Sequence, residues 1–593
     1  MRQSYFSVLL YCTSLLGSLL GLTATLYFLG GLTGHVNDSP LNGVAVAAII
    51  LAAFFLLVAL VRALGDKSKV ALLLWLLIFS VLLVEILLGL VPPTARDELT
   101  HHLALPRLYV HSGRIFDLTF APYSYYPMLL DMLYTPWLRW GWDSIPKLVH
   151  GLFGFLTALL LYAYLARRLS PVYGLLGFFF YISTPAVLRL SNVAYVDLGL
   201  TFYSTASLLC LICWLEEVSG QRWLILAGMS AGFAMATKPN GLLAFLLLAL
   251  LLAFALGKER ERSTPWILSR LLLFGALALI CFSPWAVKNM VETGNPLFPF
   301  FPDLFGGAAG GDGDGEISGL SILAKRRLLY GENWLQIVAL PLRLFFSGQD
   351  DQPQFFDGVL SPLLILFLPW AFKGKWAEEK RLFFAFACFY LLYALFLGDL
   401  RIRYILPIVP PLVILLVYGV HNIYLRIVHP SVLFGALILL MAVNGVYLLD
   451  YFQTVSPLDY LRGRESRVAY LTRMLPDYPP FQYVNRNLAA TARIYLLFMG
   501  RRAYYCERDY FHDMGDNDSV LLQVIQSAKN SDEIGVKLRE RGLTHLLARE
   551  DLLQRFLANN LTADNWDRWN GFVRAHAEKL YQDGRYSVYQ IHG

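Results

Sequence analysis

Residues 70–102 read VALLLWLLIFSVLLVEILLGLVPPTARDELTHH. Residues 70–91 are apolar apart from Ser80 and Glu85, and as a helix they are long enough to cross the ~30 Å hydrocarbon core of a bilayer. Pro92 and Pro93 end that helix, and Asp97, Glu98, His101 and His102 follow within a few residues. A membrane helix thus delivers a carboxylate pair and two histidines to the bilayer surface. Glu85, inside the helix, is costly there and implies a partner or a water-filled groove.

Outward from this stretch, apolar runs recur at 5–28, 44–60, 148–165, 172–182, 198–215, 223–236, 242–256, 271–286, 359–372, 382–397, 404–418 and 432–449, which with 70–91 makes thirteen candidate spans. The first follows Met-Arg-Gln but exceeds a signal-peptide apolar region, and reads as a transmembrane helix. The composition agrees: 57% hydrophobic, 16% charged, mean hydropathy +0.52, outside the range of soluble globular chains. A net charge of +6 would suit a polyanion in a soluble protein, but here Lys and Arg sit mainly in short loops and report topology, so no nucleic-acid partner is expected. Five of the six cysteines lie inside apolar runs, leaving no disulfide framework, and Cys210 and Cys213 read as packing residues.

With the N-terminus in the cytoplasm, Arg62, Lys67, Arg167, Arg168, Lys258 and Lys373 fall inside, and the short outer loops hold only Arg189, Lys238, Arg401 and Arg403. The organisation is then a membrane domain, 1–450, with outer loops at 92–147 and 287–358, and an outer soluble domain, 451–593. The latter mixes strand-like 492–499 and 543–547 with helix-like 520–528 and 532–541, an α/β signature. Its tyrosine-rich stretch, 501–510, reads as a ligand contact, a domain core or a membrane-facing edge.

The polar residues of chemical interest all fall on the outer side. The Asp97-Glu98 pair reads either as a functional carboxylate pair or as the acidic first turn of a helix. His101 and His102 are metal ligands with Glu98, or simply interfacial. Asp197 stands at the entrance of a span, and Lys238 marks an outer turn broken by Pro239. Arg401 and Arg403 run against the charge trend and suit a phosphate, or a salt bridge to Asp399 or Glu98. Gly294-Asn-Pro296 with Phe298 to Phe301 is a rigid aromatic turn, and the run 306–315 with Asp312, Asp314 and Glu316 lacks the spacing of a calcium loop.

In this order the pieces resemble the GT-C superfamily of glycosyltransferases, above all the family of protein O-mannosyltransferases and lipid A aminoarabinose transferases. The matching residues are Asp97-Glu98, Tyr123 to Pro127, Asp197, Lys238-Pro239, Gly294-Asn-Pro296, and Arg403-Tyr404 with Pro407. The resemblance covers most of 92–418. It departs in one respect, since the acidic loop follows the third span here and the first in the family, so that 70–91 aligns with the family's first helix.

The resemblance implies a GT-C-like polytopic helical membrane protein with a C-terminal extracytoplasmic α/β domain, seated in the bacterial inner membrane. The implied reaction moves a hexosyl or pentosyl group from a polyprenyl-phosphate donor to a protein, lipid A or surface-glycan acceptor, with inversion. Asp97 would be the base, and Glu98 and Asp197 would position the acceptor and the donor sugar. Arg403, assisted by Arg401 or Lys238, would take the donor phosphate, with Tyr123, Tyr126, His101 and His102 toward the acceptor or sugar. No cofactor is required, and a divalent metal is admissible without being indicated. The competing expectation is a secondary transporter or lipid flippase, although the chain lacks an internal repeat and, Glu85 apart, keeps its charges at the outer rim.

Overall fold

A computed structural model describes residues 2–65, 68–217, 220–258, 262–305, 322–374, 377–394, 400–426, 429–513 and 519–592. The glycine-rich run at 306–315 and Asp399 lie outside the described residues. The membrane part is helical: α1 (Arg2–Leu32), α2 (Ser39–Ala63), α3 (Lys69–Gly89), α4 (Ile145–Arg168), α5 (Pro171–Ile182), α6 (Asp197–Glu216), α7 (Gln221–Thr237), α8 (Gly241–Gly257), α9 (Thr264–Thr293), α10 (Ala377–Ala394), α11 (Val409–Tyr424) and α12 (Pro430–Val455). Among the described residues, eight helices are long and apolar enough to span a bilayer, and α5 and α8 are shorter apolar helices. The chain is therefore a multi-pass membrane protein.

The expected span at 359–372 is not one helix. It forms two single turns, Leu363–Leu366 and Leu368–Ala371. Pro369 explains the break, because it offers no N–H to the preceding turn and its ring crowds the carbonyl before it.

Helices α4, α6 and α11 form the enclosed centre, whereas α2, α3, α9 and α12 turn Phe54, Leu76, Ile280 and Leu439 outward, as lipid-facing helices must. Close helix contacts rest on small residues. Gly228 and Gly232 lie four apart on the face of α7 against α9, and a Cβ on Gly232 would stand 2.4 Å from the Ala278 carbonyl oxygen. At the turn into α8, a Cβ on Gly241 would lie 2.0 Å from the Ala234 oxygen, so only glycine closes the turn that carries Lys238.

Glu85 on α3 is 2% exposed, and neither of its oxygens has a hydrogen-bond partner among the described residues. An unsatisfied buried polar group costs about 1–3 kcal/mol, so Glu85→Leu is expected to raise the thermal midpoint of the purified protein and Glu85→Gln to leave it near wild type. A lower midpoint for the leucine variant would reveal a partner that the carboxyl needs.

Beyond α12 lies the C-terminal unit, a five-stranded sheet flanked by helices. Its strands are β1 (Arg493–Leu497), β2 (Asp509–His512), β3 (His545–Arg549), β4 (Ala577–Asp583) and β5 (Tyr586–Ile591), in the order β2-β1-β3-β5-β4. The strands β2, β1 and β3 run parallel; β5 pairs antiparallel with β3 and β4. β1 sits inside, and its residues after Arg493 are buried, as an inner parallel strand requires. The tyrosine-rich stretch is an interface to the membrane part. Tyr504 accepts from Arg107 at 2.6 Å through its carbonyl and donates its N–H to Leu99, and Tyr505 donates its hydroxyl to the Pro93 carbonyl at 2.7 Å. Arg467 pairs with Asp143 across the same seam. The soluble unit thereby grips the loop that follows α3.

Candidate active site

Asp97 leads into a single turn of π-helix, Glu98–His102. Glu98 sets this loop's shape. It is buried, and its carboxylate accepts the N–H groups of Thr94 at 3.0 Å and Ala95 at 2.8 Å through one oxygen and of Ala194 at 2.5 Å through the other. Burial raises the Glu98 carboxyl above its ordinary value, opposed by the charge of Lys147 and by these amides. Glu98 was expected to position substrate; in the structure its carboxylate is taken up by backbone N–H groups and binds the loop of Asp97 to the loop before α6. Glu98→Gln places donor against donor and is expected to cost about 1–3 kcal/mol, read as a lower thermal midpoint, and to reduce activity with it.

Asp97 is half-buried and faces Arg403, whose Nη1 donates to Oδ2 at 2.5 Å across 306 positions of sequence. Burial would raise the Asp97 carboxyl, but the guanidinium outweighs it and holds the group well below the ordinary carboxylate range. Arg403 is clamped between Tyr195 and Tyr404, 5.1 Å from each ring centre. The Tyr195 hydroxyl in turn accepts the Asp97 N–H at 3.2 Å.

Asp197 opens α6 and is 1% exposed. Lys238 donates to its Oδ1 at 2.5 Å and lies 4.6 Å from the Tyr404 ring centre, while Oδ2 has no partner among the described residues. His150 of α4 fixes the approach to Asp197: its Nδ1 donates to the Val193 carbonyl at 2.7 Å, and its Nε2 accepts the Leu198 N–H at 2.9 Å. Among the described residues Arg403 pairs with Asp97 and not with Glu98, and Arg401 reaches Asp357 at 3.4 Å; the alternative pairing with Asp399 lies outside the described residues.

His101 stacks on Tyr123 at 4.5 Å, and Tyr126 meets Tyr123 edge-on. Phe298 of the Gly294-Asn-Pro296 turn packs against Tyr125 and Tyr126, so two motifs far apart in sequence form one aromatic wall. His102 Nδ1 is 2.9 Å from Asp131. Burial pushes the Asp131 carboxyl up and the His102 imidazole down from their ordinary values, so it disfavours the charged form of each. Asp97, His101 and His102 offer ligand atoms within 4.8 Å of one another, and the Asp131 contact orients His102 as metal-binding histidines are oriented. Arg403 already lies on Asp97, however, and a cation there would share that carboxylate with a guanidinium.

A cavity of about 480 Å³ opens beside Asp97, Arg401 and Arg403, between the loop after α3, the segment leading into α11, the C-terminal end of α12, and the C-terminal unit. This is the size of a small-molecule site. Lys238, Asp197, Tyr123, Tyr126, His101 and His102 do not line the cavity: His101 and His102 adjoin Asp97, Lys238 joins Asp197 to Tyr404 beside Arg403, and Tyr123 and Tyr126 stand behind His101. Sequence reasoning missed part of its wall. Arg189 pairs with Asp350 at 3.0 Å and Asp351 at 2.7 Å, and Arg502 enters from the C-terminal unit. Asp131 left a signal, a lone carboxylate within the apolar run 128–138; the Arg189 cluster left none beyond an arginine on the arginine-poor side.

Residues 147–287 match the family model described as dolichyl-phosphate-mannose-protein mannosyltransferase. No curated protein matches the chain. The crystal structure of ArnT from Cupriavidus metallidurans bound to undecaprenyl phosphate is similar at a TM-score of 0.55 and 16% identity, over 87% of this chain and 97% of that one. The apo form gives 0.56 and 15%, over 88% and 98%. Archaeal oligosaccharyltransferase AglB from Archaeoglobus fulgidus, with an inhibitory peptide and a dolichol-phosphate, gives 0.46 and 10%, over 87% and 74%. At such identities likeness speaks to architecture, and the two ArnT structures cover nearly all of this chain. The chain has the fold of the two ArnT structures, and residues 147–287, in the middle of its membrane part, match the mannosyltransferase family model.

Proposed function

We propose that the chain is a membrane glycosyltransferase that moves a sugar, a hexose or pentose, from a polyprenyl-phosphate donor to an acceptor hydroxyl of protein, lipid A or surface glycan on the extracytoplasmic face. The N-terminus is then cytoplasmic and the C-terminal unit extracytoplasmic. The observation that carries this reading is the Asp97–Arg403 pair on the wall of a cavity that opens at the ends of apolar helices. A base and a phosphate-binding cation stand side by side there. The undecaprenyl phosphate in the similar ArnT structure supports a lipid-phosphate ligand.

In the proposed reaction the donor phosphate engages Arg403, aided by Arg401 and Lys238, and loosens its hold on Asp97. The freed carboxylate takes the acceptor O–H proton as the acceptor oxygen attacks the anomeric carbon. The bond from that carbon to the phosphate oxygen breaks, its electron pair leaves with the polyprenyl phosphate, and the arginines stabilise the new charge. One displacement inverts the anomeric centre. Asp197, with a buried unpartnered Oδ2, is placed to accept from a donor-sugar hydroxyl.

Membranes carrying the chain should transfer label from polyprenyl-phosphate sugars and release free polyprenyl phosphate. Movement of intact donor across the bilayer, with no release, would instead identify a transporter. The reading calls for charge stabilisation by Arg403, Arg401 and Lys238 and for no metal, so chelation by EDTA is expected to leave the rate unchanged. Loss on chelation with recovery on adding a divalent ion would assign a metal to Asp97, His101 and His102.

A further inference from the structure

The C-terminal unit contains a second cavity, of about 130 Å³, which shares no lining residue with the cavity beside Asp97. A void of about 150 Å³ holds one six-membered ring. Two helices build its walls by simple periodicity. Glu550 and Gln554 lie four apart on Glu550–Asn560, and Trp566, Trp569 and Asn570 follow the same spacing on Ala563–His576. Tyr589 of β5 closes the floor and donates its hydroxyl to Glu550 Oε1.

The mixture of groups determines what fits. Indole and phenol faces cover the C–H face of a ring, and a purely apolar ring would leave polar groups facing it. The amides of Gln554 and Asn570 make no hydrogen bond to other described residues, and neither does Glu550 Oε2, so donors and acceptors for ring hydroxyls surround the aromatic floor. Trp569 is 6% exposed and belongs to the domain core, whereas Trp566 is half-buried and packs against that core from its edge and Gln554 is exposed, so these two are the lining residues to change, with Gln554 the one outside the core packing.

We propose that this cavity binds one pyranose ring of an acceptor glycan, away from the reacting centre. That the ring belongs to an acceptor rests on the glycosyltransferase reading above; the pocket's affinity for a pyranose does not. Cyclohexanol and 4-methylphenol represent the competing occupants, an apolar ring and a tyrosine side chain.

The test uses the full chain in lipid nanodiscs, titrated with methyl α-mannopyranoside, methyl β-glucopyranoside and methyl β-galactopyranoside and followed by saturation-transfer NMR. At least one glycoside is expected to bind saturably, to bind equally to Asp97→Asn, and to bind about tenfold or more weakly to both Trp566→Ala and Gln554→Ala. Near-UV circular dichroism verifies the fold of each variant. No saturable glycoside binding, equal binding by wild type and both variants, or preference for either control ring overturns the proposal. Donor cleavage measured on the same samples separates the two readings. Cleavage without Trp566-dependent binding removes the pocket alone; binding without cleavage removes the acceptor role and leaves a pyranose pocket.

Discussion

Replacing Asp97 with Asn is expected to lower sugar transfer by about 10²- to 10⁴-fold while the protein stays folded and holds its donor. Asparagine keeps the side chain's size but cannot accept the acceptor's proton. It also removes the anion that occupies Arg403 in this structure, so the guanidinium becomes more available to the donor phosphate. Donor affinity should therefore hold or rise as turnover collapses. That divergence separates a base from a residue that merely maintains the fold, because structural damage would lower both together. Loss of binding in parallel with turnover would reassign Asp97 to architecture.

The second large effect belongs to Arg403→Gln, for which a loss of about 10²- to 10³-fold is expected from removal of one preorganised charge at the leaving phosphate. Arg403→Lys should fall between, since it keeps the charge but not the planar fork. Arg403 also sets the acid limb of kcat/KM. In the wild type the guanidinium holds the Asp97 carboxyl below the ordinary value of about 3.9, so the base remains ionised on acidification and the limb lies below that pH. The ionised form is the active one; activity disappears as pH falls through the group's value. In Arg403→Gln the burial that raises the carboxyl is no longer outweighed, so the limb should move upward. An unmoved limb would show that the ion pair does not tune the base.

Much of the fold was legible because a bilayer imposes length and apolarity on the helices that cross it. One departure, 359–372, carried its reason in Pro369, which divides an apolar run whose composition otherwise suits a span. In the site, Asp97, Asp197, Lys238 and Arg403 stood out as charges at the ends of apolar runs. Their pairing was not legible, since Arg403 meets Asp97 over 306 positions and Lys238 meets Asp197 over 41. The bonds of Glu98 were not legible for another reason: its partners are backbone N–H groups, which every non-proline residue carries and which leave no signature. Tyr504 and Tyr505 were ambiguous because an aromatic ring with a polar tip suits a core, an interface or a ligand equally well. Their contacts with the loop after α3 resolve them as a clamp and make the C-terminal unit one wall of the cavity.

The most direct measurement follows purified wild type and Asp97→Asn under single-turnover conditions with a labelled polyprenyl-phosphate sugar, quantifying free polyprenyl phosphate and the anomeric configuration of the product. The expected result is stoichiometric release with inverted configuration for the wild type, and donor bound but uncleaved for Asp97→Asn. Retained configuration, or comparable release from the variant, would contradict a single displacement driven by Asp97 and Arg403.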